Sequence, residues 1–150
     1  MFRLTGEFDC KADAKGRVKL PSALIRQLGE GVRSYTINRG FEKHLMLYPR
    51  EVWEQKTNEI DQLNIYSAKH RQVIRYFYRG ATEIILDGSD RMLIPRSLMD
   101  FAEINKEIVL FAYRDHIEVW AKDKYESMID DEPEDFSAIA DEIFGGSAAD

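Results

Sequence analysis

Apolar and polar residues alternate along this chain in short runs that end at turn residues. In the first run Phe8, Cys10 and Ala12 point to one side, and Glu7, Asp9, Lys11 and Asp13 to the other. A period of two predicts a half-buried strand. A tight turn follows at Ala14-Lys15-Gly16, with Gly16 suited to a left-handed backbone position. The spacing then predicts a strand over 17–20 with Val18 and Leu20 inward, and a short helix over 22–28 opened by Pro21 and closed by Gly29. Two further strands, 34–39 and 44–48, are joined by a turn around Gly40.

The pattern then repeats. Shifted by 74 positions, Gly6 falls on Gly80, Asp13 on Asp87, Arg17 on Arg91, Leu20-Pro21 on Ile94-Pro95 and Leu24 on Leu98. After a two-residue deletion His44-Leu45 meets His116-Ile117, Leu47-Tyr48 meets Val119-Trp120, and Trp53 meets Tyr125. The second copy predicts strands over 83–86, 91–94, 108–113 and 116–120. The organisation is a first repeat over 5–54, a helical connector over 55–78, a second repeat over 79–126 and an acidic tail over 127–150, expected to be flexible. Connector helices are expected from Pro49 to about residue 61, and from a Ser67 cap to Arg79, ended by Gly80. Four short strands bury little apolar surface alone, so the two copies are expected to interleave around one core. The fold class expected is mainly β with short helices.

Composition narrows the function classes. A length of 150 residues, 44% of them hydrophobic and 32% charged, describes a soluble globular chain. The longest uncharged apolar run, 108–113, is far short of a membrane span, and the N-terminal residues lack a signal-peptide core. Cys10 is the only cysteine, so no internal disulfide or cysteine-based zinc site is expected, and the chain reads as cytoplasmic. The net charge of −6 hides an asymmetry. Residues 123–150 carry ten acids and one base, Lys124, whereas residues 1–122 carry 20 bases and 17 acids. A mildly basic body leaves room for a polyanionic partner. A tethered anion of this kind is expected to compete with such a partner for the body's cations.

The repeated motif is Asp-x-x-x-Arg, at Asp13-Ala14-Lys15-Gly16-Arg17 and Asp87-Gly88-Ser89-Asp90-Arg91. An aspartate entering a tight turn accepts hydrogen bonds from the turn's N–H groups, and an arginine leaving it binds the same carboxylate. Asp13, Arg17, Asp87 and Arg91 are therefore the structural motif residues. With Phe2-Arg3, Gly6, the run 13–21, Arg75-Tyr76-Phe77, Gly80-Ala81 and 91–95, this chain resembles the MraZ family over about residues 1–127. MraZ proteins are tandem relatives of the AbrB and MazE regulators. The resemblance implies two AbrB-like swapped-hairpin repeats forming a pseudo-twofold double-split β-barrel. It also implies a ring-shaped homo-oligomer, sequence-specific binding of double-stranded DNA, a nucleoid location and control of the division and cell-wall genes. The chain departs from the family at Asp90, where a glycine is usual. Aspartate tolerates a left-handed backbone, so the turn is expected to survive with some strain.

The first copy carries Lys11, Lys15, Arg17 and Lys19, aligned with Ile85, Ser89, Arg91 and Leu93 in the second. The candidate DNA-binding residues are Arg3, Lys11, Lys15, Arg17 and Lys19, because cations on a two-stranded element track phosphates and can enter the major groove. The plain alternative is a solvated strand face. Ile85 and Leu93, at outward parity, are the candidate oligomer contacts. Arg71, Arg75 and Arg79 fall on one helix face, expected to pair with acids of a neighbouring repeat or subunit, the alternative being a second stripe that tracks DNA phosphates. His44, His70 and His116 lack metal-ligand spacing, and Cys10 has inward parity. No catalytic or metal site and no cofactor is expected. The rival function is an antitoxin-like protein-interaction module, with the acidic tail docking on a basic partner. Phe136, Ile139 and Ile143 of the tail share one helical face.

Overall fold

The computed structural model describes residues 2–130 and 136–145. The first repeat provides β1 (Leu4–Lys11), β2 (Arg17–Lys19), α1 (Ser22–Leu28), β3 (Ser34–Arg39) and β4 (Leu45–Pro49). The connector holds α2 (Arg50–Asp61) and α3 (Ala68–Phe77). The second repeat provides β5 (Thr82–Ile85), β6 (Arg91–Leu93), α4 (Arg96–Phe101), β7 (Glu107–Arg114) and β8 (His116–Ala121). Beyond it come α5 (Lys122–Asp130), α6 (Phe136–Ala140) and a π-helical turn, Asp141–Gly145. Sheet is the framework, and the helices are short.

Six strands form one antiparallel sheet in the order β1-β7-β8-β4-β3-β5, and β2 and β6 form a separate ribbon. Among the described residues neither closes into a barrel. Exchanging each strand for its repeat mate turns the six-strand order into its own reverse and leaves the ribbon unchanged. The repeats interleave: β1 pairs with β7 along its whole length, from Leu4↔Arg114 to Lys11↔Glu107, and β5 pairs with β3. This pairing explains why β7 runs to Arg114, one residue past the expected end.

Alternation decides which faces are covered. On one side of the sheet Leu20, Leu24, Ile37, Leu47, Met92, Ile94, Leu98, Ile108 and Leu110, all nearly inaccessible, join residues of α1, α4 and the ribbon in one core. On the other side α2 and α5 cover an aromatic layer. Trp53 stacks on Phe77 with ring centroids 5.3 Å apart, and His44 stacks on Trp120 at 4.5 Å. Burial holds His44 below the usual imidazole range, so it is neutral at pH 7.

Several ends differ from the sequence expectation. The β4 strand starts at Leu45 because His44 N–H donates to Glu42 O within the turn, at 2.7 Å. Ser67 caps α3, its Oγ accepting from His70 N–H, but the helix ends at Phe77 rather than Arg79. The chain leaves the helix there because Gly80 takes φ 70°. It also passes so close to α4 that a Cβ on Gly80 would meet Leu98 Cδ2 at 2.6 Å. In the tail, residues 127–130 extend α5 and 136–145 are helical. Pro133 and the acids Asp131, Glu132, Glu134, Asp135 and Asp150 lie outside the described residues.

Candidate nucleic-acid interface

Both Asp-x-x-x-Arg turns have the same geometry. Asp13 Oδ1 accepts from Lys15 N–H and Arg17 N–H, each at 2.9 Å, and its Oδ2 accepts from Arg17 Nε–H at 2.7 Å. Asp87 Oδ1 accepts from Ser89 N–H at 2.8 Å and Arg91 N–H at 3.0 Å, and its Oδ2 from Arg91 Nε–H at 2.8 Å. The Arg17 N–H and guanidinium and the Lys15 N–H hold the Asp13 carboxyl down at about 2. Asp87 is lowered too, first by the Arg91 N–H. Each arginine spends Nε on its own turn, and among the described residues its terminal nitrogens make no hydrogen bond.

The turns lock into each other. Leu20 N–H donates to Asp90 O at 2.9 Å, and Ile94 N–H to Gly16 O at 3.0 Å. Gly16 sits at φ 86°, and a Cβ there would come within 3.0 Å of Ile94 O. Its mate Asp90 also takes a positive φ, 62°. The second turn gains a brace that the sequence reading missed. Arg33 Nη1 lies 2.5 Å from Asp90 Oδ1, and Arg33 also donates to Asp87 O. The signal was there: Asp90 is an acid in place of glycine, without a local base to match, and a lone arginine stands just before the third strand.

These turns present the β2–β6 ribbon. Its register sets Arg17 opposite Leu93, Val18 opposite Met92 and Lys19 opposite Arg91. Val18 and Met92 point into the core at 0% exposure. The outer face is therefore a two-by-two array of Arg17, Leu93, Lys19 and Arg91, drawn equally from both repeats. Leu93 is 56% exposed in that array. The sequence reading separated a DNA-facing first repeat from an assembling second one. On the ribbon the two sets share one face, because Leu93 is directly across from Arg17. Strand pairing between repeats, invisible in either repeat alone, is the reason.

The other candidates fall in different places. Lys11 and Lys19 line one hollow of about 320 Å³ with Asp9, Leu20 and Ser22. Lys15 is exposed at the tip of the first turn. Arg3 is not brought to this cluster. It stands past the far end of β1, roughly 27 Å from Lys11 by strand rise, in a cleft shared with Glu51, Arg114 and Asp115. Ile85 is 65% exposed on the opposite edge strand of the sheet.

None of Arg71, Arg75 and Arg79 pairs with an acid among the described residues. Arg71 donates to Ile65 O at 2.9 Å, and Arg79 donates to Tyr76 O and Gly40 O while lying over the Tyr76 ring. Cys10 is half-buried against the core, and burial, then Asp9, push its thiol up to about 11. That is far from a nucleophile's range. Among the described residues no three His, Cys, Asp or Glu side chains could share a metal ion, and no helix is long and apolar enough to cross a membrane.

A doubled turn motif on an interleaved sheet is an arrangement that comparison with known proteins resolves. A family model described as "MraZ protein, putative antitoxin-like" matches residues 3–76 and, a second time, residues 77–145. The chain belongs to the MraZ family. The "Transcriptional regulator MraZ" of Christiangramia forsetii is 40% identical to it over 147 residues, which cover 97% of this chain and 95% of that protein. The protein of the same name from Flavobacterium psychrophilum is 37% identical over 147 residues, 97% and 94% of the two chains. That of a Roseiflexus species is 36% identical over 124 residues, 83% and 85%. The second MraZ match runs on to residue 145. It thus takes in the tail helix, which the resemblance in sequence had left outside.

Proposed function

We propose that this MraZ-family chain is a transcriptional regulator that binds double-stranded DNA through the outer face of the β2–β6 ribbon. The observation that carries this reading is the array itself. Three cations on a two-stranded element stand clear of the sheet on two turns stiffened by carboxylate–guanidinium pairs. A ribbon of this size fits the major groove, with lysines and arginines on phosphates or guanine edges. The identically named relatives support the same reading. Lys11 and Lys15 extend the cationic surface along β1 and the first turn. Leu93 belongs to this face, where a thymine methyl is a suitable apolar contact. Arg3 serves DNA only through a separate contact.

In the same proposal the interleaved sheet and ribbon form a double-split, swapped-hairpin barrel of two AbrB-like repeats, bounded at about 5–54 and 79–126. The chain works as a nucleoid-associated homo-oligomer, without catalysis, and Ile85 on the outer edge of β5 is its subunit contact.

The test is footprinting on the DNA upstream of the chain's own gene, followed by affinity across a salt series. Lys19→Ala leaves both Asp–Arg turns intact. It should weaken binding and flatten the log–log salt dependence by about one unit for a lost phosphate contact. Arg17→Ala and Arg91→Ala should both weaken binding, since both face outward on the ribbon. An unchanged affinity and slope for Lys19→Ala and Arg17→Ala, in proteins with wild-type melting, would overturn the ribbon as the interface.

A further inference from the structure

Two amphipathic helices of opposite charge stand uncovered in this chain. The stretch 68–79, α3 and its exit, holds Lys69, Arg71, Arg75 and Arg79 and no acid. No residue of α3 is buried. Val73 is 50% and Tyr76 46% exposed, and the Tyr76 ring stacks on Phe41, itself 78% exposed. These three side chains make an apolar patch, bordered by Lys69 one turn before Val73 and by Arg79 over the Tyr76 ring. The segment 130–150 has the reverse character, with eight acids and no base. Its helix exposes Phe136, Ile139 and Ile143 at a three-and-four spacing that places them on one face. Glu142 falls at the edge of that face.

We infer that the tail helix docks its Phe136–Ile139–Ile143 face on the Phe41–Val73–Tyr76 patch of the same chain. Glu142, at the edge of the docked face, then meets Lys69, which lies one turn before Val73 and forms no ion pair among the described residues. Charge complementarity selects this occupant, since a basic apolar face suits an acidic amphipathic helix. Connectivity supports it. Ser127 and Met128 of α5 line a hollow with Glu42 and Lys43, so the chain leaves α5 beside the turn that carries Phe41. From Asp130, where α5 ends, the six residues to Phe136 reach up to about 20 Å, starting beside that turn. A tethered partner docks at high effective concentration, so modest contacts suffice. This seat is independent of the DNA reading and differs from the ribbon on which a free acidic tail would compete with DNA.

Disulfide trapping in the full-length protein tests it, in a Cys10→Ser background. Val73→Cys with Ile139→Cys should close an intrachain disulfide under copper–phenanthroline at least about tenfold faster than Lys19→Cys with Ile139→Cys. Lys69→Glu should slow the closure, as should high salt. In a cysteine-free full chain, Ile139→Asp with Ile143→Asp should speed hydrogen exchange of the α3 amides. Four results would each overturn the inference. They are Val73–Val73 or Val73–Ile139 bonds between chains, which give the face to a second copy, Lys19–Ile139 closing as fast, no closure at all, or α3 exchange indifferent to the tail variant.

Discussion

Asp13 and Asp87 each accept two backbone N–H groups and one guanidinium, which is why both carboxyls titrate low. A folded pKa below the unfolded one stabilises the fold above the unfolded value, and that stability is lost as pH falls through the folded value. For Asp13 the window runs from about 4, the unfolded carboxylate range, down to about 2. Urea midpoints taken across that window should fall with acid in the wild type and fall less steeply in Asp13→Asn with Asp87→Asn. Equal slopes would show that the turns carry no share of the acid sensitivity. At this scale the sequence was readable where a residue's partner is close along the chain, as Arg17 is to Asp13. For Asp90 it showed an acid in place of glycine but not the partner, because the brace Arg33 is 57 residues away.

The ribbon is the element on which function and stability meet. It has only three residues per strand, so its cohesion comes from Val18 and Met92 beneath it and the interlocking turns at its ends. Met92→Ala removes a fully buried side chain at the junction of the repeats and should cost about 2–5 kcal/mol, read from urea unfolding. Lys19→Ala on the opposite face of the same ribbon should leave stability within about 0.5 kcal/mol. A small loss for Met92→Ala would mean that the ribbon is held by its turns alone. The period-two pattern located these strands and their inward residues from sequence. It could not say that β2 pairs with β6, because alternation specifies a face and not a partner. The same limit applies to α3. The one-sided spacing of Arg71, Arg75 and Arg79 was visible, but only the packing shows that Val73 and Tyr76 are left uncovered.

For the whole molecule the interleaving makes each repeat depend on the other. In the first repeat β1 finds its full-length partner in β7, and β2 pairs along its length with β6. A chain of residues 1–78 therefore leaves two strand edges and the underside of the ribbon open. It should be unfolded, or should fold only by pairing with a second copy of itself, as circular dichroism and light scattering will show. A monomeric 1–78 fragment with a cooperative melt would contradict the interleaved description. Adding 79–150 in trans should restore strand signal, since the missing partners lie there.

The sequence by itself determined the repeat, the strand and helix content, the two Asp-x-x-x-Arg turns, the membership that the MraZ match confirms, and the charge division between body and tail. All of these follow from local spacing, or from self-similarity that survives in one dimension. Only the tertiary structure decided that Leu93 shares a face with Arg17, that Arg3 stands apart from the other cations, and that Arg33 secures the Asp90 turn. Each depends on which strand lies beside which. That choice is made by the burial of two complementary apolar faces at once, a property of the folded pair of repeats rather than of any stretch of residues.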